Sequence, residues 1–276
     1  MWQALLIMFV AMSMIPAGDL NGKLLTSDHA VAPAFVAWSR FALGTVMILP
    51  FVPRSAPGLL RDWRIWVRAL CLTGGIFSIQ TALVTEPLAN VFAAFFVGPL
   101  VSYALSALFL KEPASLVRSL LMLTGFAGVL LVVRPGLGGS TGLLWAMAAG
   151  TFYGLFLTSS RWLSGLGSPM ALSFTQLFIS ALVLLPLGLS NLPQTLTFPI
   201  AALTTGSAAF SMLGNLLLLF AYAKMPATKL APLVYFQLIA AVGLGWAVFG
   251  DLPDSLTWAG LALIMTSGVI SALLRR

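Results

Sequence analysis

ALVTEPLANVFAAFFVGPLVSYALSALFLKEPASLVRSLLMLTGFAGVLLVVR, residues 82–134, is written a second time from Ala221 onward as AYAKMPATKLAPLVYFQLIAAVGLGWAVFGDLPDSLTWAGLALIMTSGVISALLRR. Laid over one another, Pro87 falls on Pro226, Phe96 on Tyr235 and the Lys111-Glu112 turn on Gly250-Asp251. One inserted residue then aligns Pro113 with Pro253, Ser115-Leu116 with Ser255-Leu256 and Gly128 with Gly268. Each copy is two apolar segments hinged at a turn that carries an acid and a proline. A collinear order of this length reads as an internal duplication.

Composition sets the solvent. Hydrophobic residues make up 60% of the chain, charged residues 8%, and mean hydropathy is +1.03, whereas soluble domains carry charge on roughly a quarter of their residues. The chain reads as an integral membrane protein. One Cys (Cys71) and one His (His29) leave no disulfide framework and no metal cluster. The net charge of +7 is read by position, because Lys and Arg in short loops orient membrane proteins. No basic patch with interleaved aromatics lies outside the apolar runs, so a nucleic-acid partner is not expected.

Apolar runs of bilayer-spanning length recur between short polar breaks. They fall at Trp2 to Leu24, Ala32 to Val52, Trp66 to Thr85, Asn90 to Leu110, Ser115 to Val133, Thr141 to Arg161, Pro169 to Leu189, Pro199 to Tyr222, Lys229 to Phe249 and Ser255 to Leu274. The expected fold is an all-α integral membrane protein with ten transmembrane helices, since lipid offers backbone groups no partner and a barrel would alternate in ten-residue segments. The first run has no A-x-A-like cleavage site and reads as a permanent span.

With both termini in the cytoplasm, the inner loops and tail hold Arg54, Arg61, Arg64, Arg68, Lys111, Arg118, Arg161, Lys224, Lys229, Arg275 and Arg276, against Lys23 and Arg134 outside. The stretch LRDWRIWVR, Leu60 to Arg68, reads as an interfacial anchoring belt. Five spans per unit turn the second unit upside down relative to the first, so the repeats are expected to be inverted: residues 1–135 and 136–276, joined through the glycine-rich Pro135 to Ser140. Inverted repeats of secondary transporters place a solute site near the midplane and alternate access to it.

Asp19, Lys23 and Arg40 are charges inside spans, where an ionisable group is costly and by default functional. Lys23 lies at i+4 from Asp19, and Arg40 reaches a similar depth. Their counterparts in the second unit, Leu155, Ser159 and Gln176, are uncharged. The set reads either as a fold-locking ion-pair network, or as a substrate or gate contact, or as a proton-coupling site; a cation beside a carboxylate works against the last. Neutral polar and aromatic side chains form a second set, in which interhelical hydrogen bonds compete with ligand contact: Ser78, Gln80, Thr81, Tyr103, Tyr153, Asn215, Tyr235 and Gln237, with Trp38 and Trp162 nearer the ends. Pro16 with Gly18, and Gly98-Pro99, mark breaks or kinks. The small residues Gly125, Ala127, Gly128, Gly260, Ala262 and Gly268 read as close helix packing.

Pro16 to Lys23 (PAGDLNGK), Trp38-Ser39-Arg40-Phe41, Phe109-Leu110-Lys111-Glu112 and Phe249-Gly250-Asp251 together resemble the EamA-type members of the drug/metabolite transporter superfamily. The family's usual Gly-Glu turn is Lys111-Glu112 in one copy and Gly250-Asp251 in the other. The resemblance implies ten helices in two inverted five-helix repeats and a cavity lined mainly by spans one, three, four, six, eight and nine. It also implies a secondary transporter for a small organic solute in the bacterial cytoplasmic membrane. An amino acid or related carboxylated metabolite, exported, is the first expectation; a vitamin or nucleobase importer, or a multidrug exporter, is the alternative. No cofactor is expected, and the chain is read as a monomer or homodimer. An enzyme would need a nucleophile with a base, paired carboxylates or a metal cluster, a channel a ring of carbonyls or charges, and an ATP-driven pump a G-x-x-x-x-G-K-[ST] loop; none is written here.

Overall fold

The computed structural model describes residues 2–111, 115–133, 140–224, 234 and 236–273, and every long element among them is an α-helix. In chain order these are α1 Trp2–Ser27, α2 Pro33–Ile48, the short α3 Ala56–Leu59, α4 Trp63–Leu83, α5 Leu88–Phe95, α6 Val97–Phe109, α7 Leu116–Val133, α8 Thr141–Trp162, α9 Pro169–Ser190, α10 Phe198–Lys224, α11 Phe236–Phe249 and α12 Ser255–Leu273. A 3₁₀ turn, Leu49–Phe51, extends α2.

Among the described residues six segments are long and apolar enough to cross a membrane: Pro33–Phe51, Trp63–Leu83, Leu88–Phe109, Thr141–Trp162, Pro169–Ser190 and Phe198–Ala221. Shorter apolar helices occupy Ser119–Val132, Gln237–Phe249 and Ser255–Ile270. Large apolar side chains such as Phe109, Leu116 and Phe198 face outward, as a lipid environment requires.

Local chemistry fixes the helix ends. Asp62 caps α4 by accepting from the Arg64 backbone N–H at 2.9 Å, so that helix begins three residues before the expected span. The hydrogen bonds that the Arg64 guanidinium donates hold the Asp62 carboxyl below its ordinary pKa. Pro99 has no N–H for the Phe95 carbonyl, and the fourth span breaks there into α5 and α6. α1, by contrast, runs unbroken through Pro16. Lys111 (φ 53°) and Gly250 (φ 70°), aligned in the two copies, are both left-handed.

The bundle packs in pairs: α1 on α10, α4 on α8, α7 on α12, α2 on α9 and α5–α6 on α8. Further contacts join α2 to α10, α4 to α9, and α11 to α1 and α5. Glycines set the closest approaches. A Cβ on Gly128 would stand 2.6 Å from the Gly260 carbonyl oxygen, and one on Gly98 2.6 Å from that of Gly150. These positions work by letting backbones touch, as the small-residue pattern predicts for α7 and α12.

Candidate functional site

The end of the bundle where α1 finishes carries a buried polar cluster. The Arg40 Nη1 donates to Asp19 Oδ1 at 2.6 Å, with both side chains at most 2% exposed. Arg40 Nε donates to Ser207 Oγ (2.7 Å), whose hydroxyl in turn donates to the Gly18 carbonyl (2.9 Å). Gln80 Nε2 donates to the same Asp19 oxygen at 3.0 Å. α1, α2, α4 and α10 are thus tied through one carboxylate and one hydroxyl. Asp19 Oδ2, Arg40 Nη2 and Gln80 Oε1 remain buried without a hydrogen-bond partner among the described residues. Gly22 leaves the room that Gln80 occupies, since a Cβ there would collide with Gln80 Oε1.

Lys23 does not join that pair. Its Nζ donates to the Glu86 carbonyl at 2.7 Å, in the turn between α4 and α5, and lies 5.0 Å over the Phe249 ring at the end of α11. The Glu86 carboxylate accepts from Ser140 Oγ at the start of α8. The expected three-charge cluster is therefore two devices: an ion pair, and a lysine that fastens the ends of α1, α4, α8 and α11. The i+4 spacing put Lys23 on the right face, but its long stem reaches the adjacent turn and leaves Asp19 to Arg40.

Deeper in the bundle the helices bring Tyr153, Asn215 and Gln237 to one level. Gly18 abuts Ser207 and Ser211, and Gly214 abuts Ala11 and Ile15, which sets Asn215 of α10 beside Ala11 and Met12 of α1. Lys23 over Phe249 sets the register of α1 and α11, and an equal step back along both, about 18 Å at 1.5 Å per residue, reaches Ala11 and Gln237. On the other side a Cβ on Gly245 would stand 3.6 Å from Leu88, so antiparallel α5 brings Phe95 to the same level. The Phe95 and Tyr153 rings are 4.9 Å apart and those of Tyr153 and Phe156 5.8 Å. Asn215 Nδ2 donates to its own helix at the Ser211 carbonyl (2.9 Å) while its Oδ1 is unpartnered. Gln237 is 0% exposed, and neither its Nε2 nor its Oε1 has a partner among the described residues.

Other sequence candidates stand apart. Tyr103 turns to α7, its hydroxyl donating to the Ser115 carbonyl (3.4 Å), and lines an outward groove of about 560 Å³ between α6 and α7. Trp38 packs on Gly188 of α9 and 5.9 Å from the Phe35 ring. Ser78 is buried on α4, Trp162 borders a groove of about 400 Å³, and Tyr235 lies outside the described residues. Among the described residues no group of His, Cys, Asp and Glu is placed to hold a metal.

The sequence reading missed Arg68. Placed in the interfacial belt, it is instead 0% exposed: Nε donates to Ser160 Oγ (2.9 Å), Nη1 to the Leu172 carbonyl (3.1 Å) and Nη2 to Gln176 Oε1 (2.8 Å), with Phe156 4.9 Å beneath the guanidinium. It joins α4, α8 and α9. The polar residues Ser160 and Gln176 inside apolar runs were the available signal. Trp63 does keep the expected exposed, belt-like setting.

These features describe a helical membrane bundle with buried polar levels rather than a soluble catalytic centre. The profile of the EamA-like transporter family matches residues 140–273, the second half of the chain, in line with the resemblance to EamA-type members of the drug/metabolite transporter superfamily. The chain is 27% identical over 259 residues to the S-adenosylmethionine uptake transporter of Rickettsia conorii, covering 90% of this chain and 85% of that one. It is 26% identical to the pseudopaline exporter CntI of Pseudomonas aeruginosa (90% and 89%) and 26% identical to the riboflavin transporter of Brucella anthropi (94% and 94%). A solved crystal structure matches with a TM-score of 0.71 at 18% identity over 98% of this chain and 96% of its own, a likeness of fold. The family and the relatives' names indicate a transporter rather than an enzyme, with a small-molecule substrate and a multi-pass membrane setting.

Proposed function

We propose that the chain is a secondary transporter that carries a small organic solute across the cytoplasmic membrane by alternating access, on ten spans in two inverted repeats, residues 1–135 and 136–276, with both termini cytoplasmic. The observation that carries this reading is the level of Asn215 and Gln237, buried neutral amides about 18 Å from the end that Lys23 fastens, of which Asn215 Oδ1 and both polar atoms of Gln237 have no partner among the described residues. Unpaired buried amides are costly and call for a ligand.

Three observations support the repeats. The packing pairs exchange with one another when the first five spans are swapped for the last five: α1 on α10 becomes α8 on α4, and α2–α9 and α7–α12 return themselves. Arg40 with Ser207 has its counterpart in Gln176 with Arg68, at the equivalent aligned positions. The aligned turns at Lys111 and Gly250 share a left-handed residue.

The same exchange divides the bundle into α1, α2, α10 and α11 against α4, α5, α6, α8 and α9. Arg40 clamps the first group internally and Arg68 the second. Two hydrogen bonds between the groups among the described residues, Gln80 to Asp19 and Lys23 to the Glu86 carbonyl, both lie at the far end of α1. With the termini cytoplasmic, this arrangement supports a carrier fastened on its outer side.

For the solute, an amino acid or related metabolite is the reading that the family resemblance brings over, with export as its direction; the relatives' names include both uptake and export. A vitamin or nucleobase carrier is the second reading, and the neutral amides beside the Phe95, Tyr153 and Phe156 rings favour it. Purified protein in liposomes tests the carrier reading: saturable counterflow of a preloaded solute supports it, and single-channel current without saturation refutes it.

A further inference from the structure

We propose that Gln237 and Asn215 read the hydrogen-bonding edge of a flat heterocycle on the transported solute, one in which an amino N–H donor stands next to a ring-nitrogen acceptor. The inference rests on the carrier reading and chooses between its two substrate classes. A carboxamide presents an acceptor and a donor side by side, and in Gln237 both are fully buried and unpartnered among the described residues. A carboxylate offers only acceptors and would leave Gln237 Oε1 unpaired; an ammonium offers only donors and would leave Nε2 unpaired. An edge carrying one of each satisfies both atoms at once, the pairing that amide side chains make with an adenine edge.

Asn215 sharpens the choice. Its Nδ2 gives one of its two hydrogens to the Ser211 carbonyl, and its acceptor Oδ1 is unpartnered among the described residues. The two unpartnered oxygens match an amino group, which has two hydrogens to give, and the unpartnered Gln237 nitrogen matches a ring nitrogen beside it. Phe95, Tyr153 and Phe156, at ring separations of 4.9 and 5.8 Å, supply apolar faces at the same level. Aromatic faces of this kind stack on flat rings and gain little from an aliphatic chain.

The test is a thermal-shift titration of the full chain in detergent with adenine, purine, cytosine and L-methionine, run beside the liposome counterflow assay. Adenine and cytosine are expected to raise the melting temperature. Purine, which keeps the ring but lacks the amino group, should bind about tenfold more weakly. Gln237→Leu should lose the adenine shift while melting no lower than the parent without ligand, because it removes a buried group unpartnered among the described residues; Asn215→Asp, which keeps the size and the oxygen acceptors but adds a charge, and Asn215→Ala should lose the shift as well. Equal binding of purine and adenine, or an undiminished adenine shift in these variants, overturns the proposal. Saturable counterflow of L-methionine with no heterocycle binding overturns it and leaves the carrier reading standing. If no solute shows saturable counterflow, both fall.

Discussion

Replacing Asp19 by Asn keeps the shape of the side chain and removes its charge. In the structure the carboxylate is the acceptor for both Arg40 and Gln80, within 2.6 and 3.0 Å, and the ion pair is closed off from solvent on every side. An Asn at this site still offers one oxygen, but Arg40 becomes a buried cation with no counterion. Removing one partner of a buried pair costs about 3–5 kcal/mol, and the retained oxygen argues for the lower figure. At about 2–4 °C per kcal/mol for chains of comparable size, the detergent melting temperature should fall by on the order of 6–12 °C. The double variant Asp19→Leu with Arg40→Met removes both charges and should melt closer to the parent than Asp19→Asn, since the two groups act as a unit. A melting temperature for Asp19→Asn within about 1 °C of the parent would refute the argument, because a 3 kcal/mol loss would have moved it several times further. A double variant that loses the sum of the single losses would refute it as well.

Lys23→Met removes the fastening of α1 to the Glu86 carbonyl; a charged hydrogen bond of about 1.5 kcal/mol corresponds to about a tenfold rise in the outward-open population. Labelling of Ser78→Cys by an impermeant maleimide from the outer side, in a Cys71→Ala background, should rise accordingly, and unchanged labelling would contradict the gate. Arg68→Lys should lower the melting temperature, because an ammonium cannot reach the Ser160, Leu172 and Gln176 acceptors in the fork that a guanidinium makes; equal melting would show the clamp to be idle. Gly128→Val drives a side chain into the Gly260 carbonyl and should cost about 1–3 kcal/mol. Gly243→Ala, with nothing among the described residues within 4 Å of the new methyl group, should be neutral to slightly stabilising, and equal effects of the two in a denaturation assay would count against close packing of α7 on α12.

The written sequence was sufficient wherever the cause is local or periodic. Sustained apolar runs select helices in lipid, Pro99 breaks the fourth span, and small residues at Gly128 and Gly260 foretell a close crossing, because each effect is carried by the residue itself. That Asp19 and Arg40 reach the same level was legible too, since 1.5 Å per residue converts sequence position into position along a helix. Rotation about a helix axis and reach across to a neighbour are not written locally. Arg68 beside Trp66 has the composition of a membrane-surface belt, yet its burial is decided by Ser160, Leu172 and Gln176, which arrive from about a hundred residues away. Lys23 is likewise diverted from Asp19 by a carbonyl that the turn after α4 brings within 2.7 Å. Nor does spacing say whether a buried amide finds a partner: Gln80 meets Asp19, whereas Gln237 meets no partner among the described residues. The sequence determined the solvent, the helices and the position of each polar group along them; the tertiary structure decided which of them face one another, because pairing depends on helix rotation and register that only the packed bundle sets.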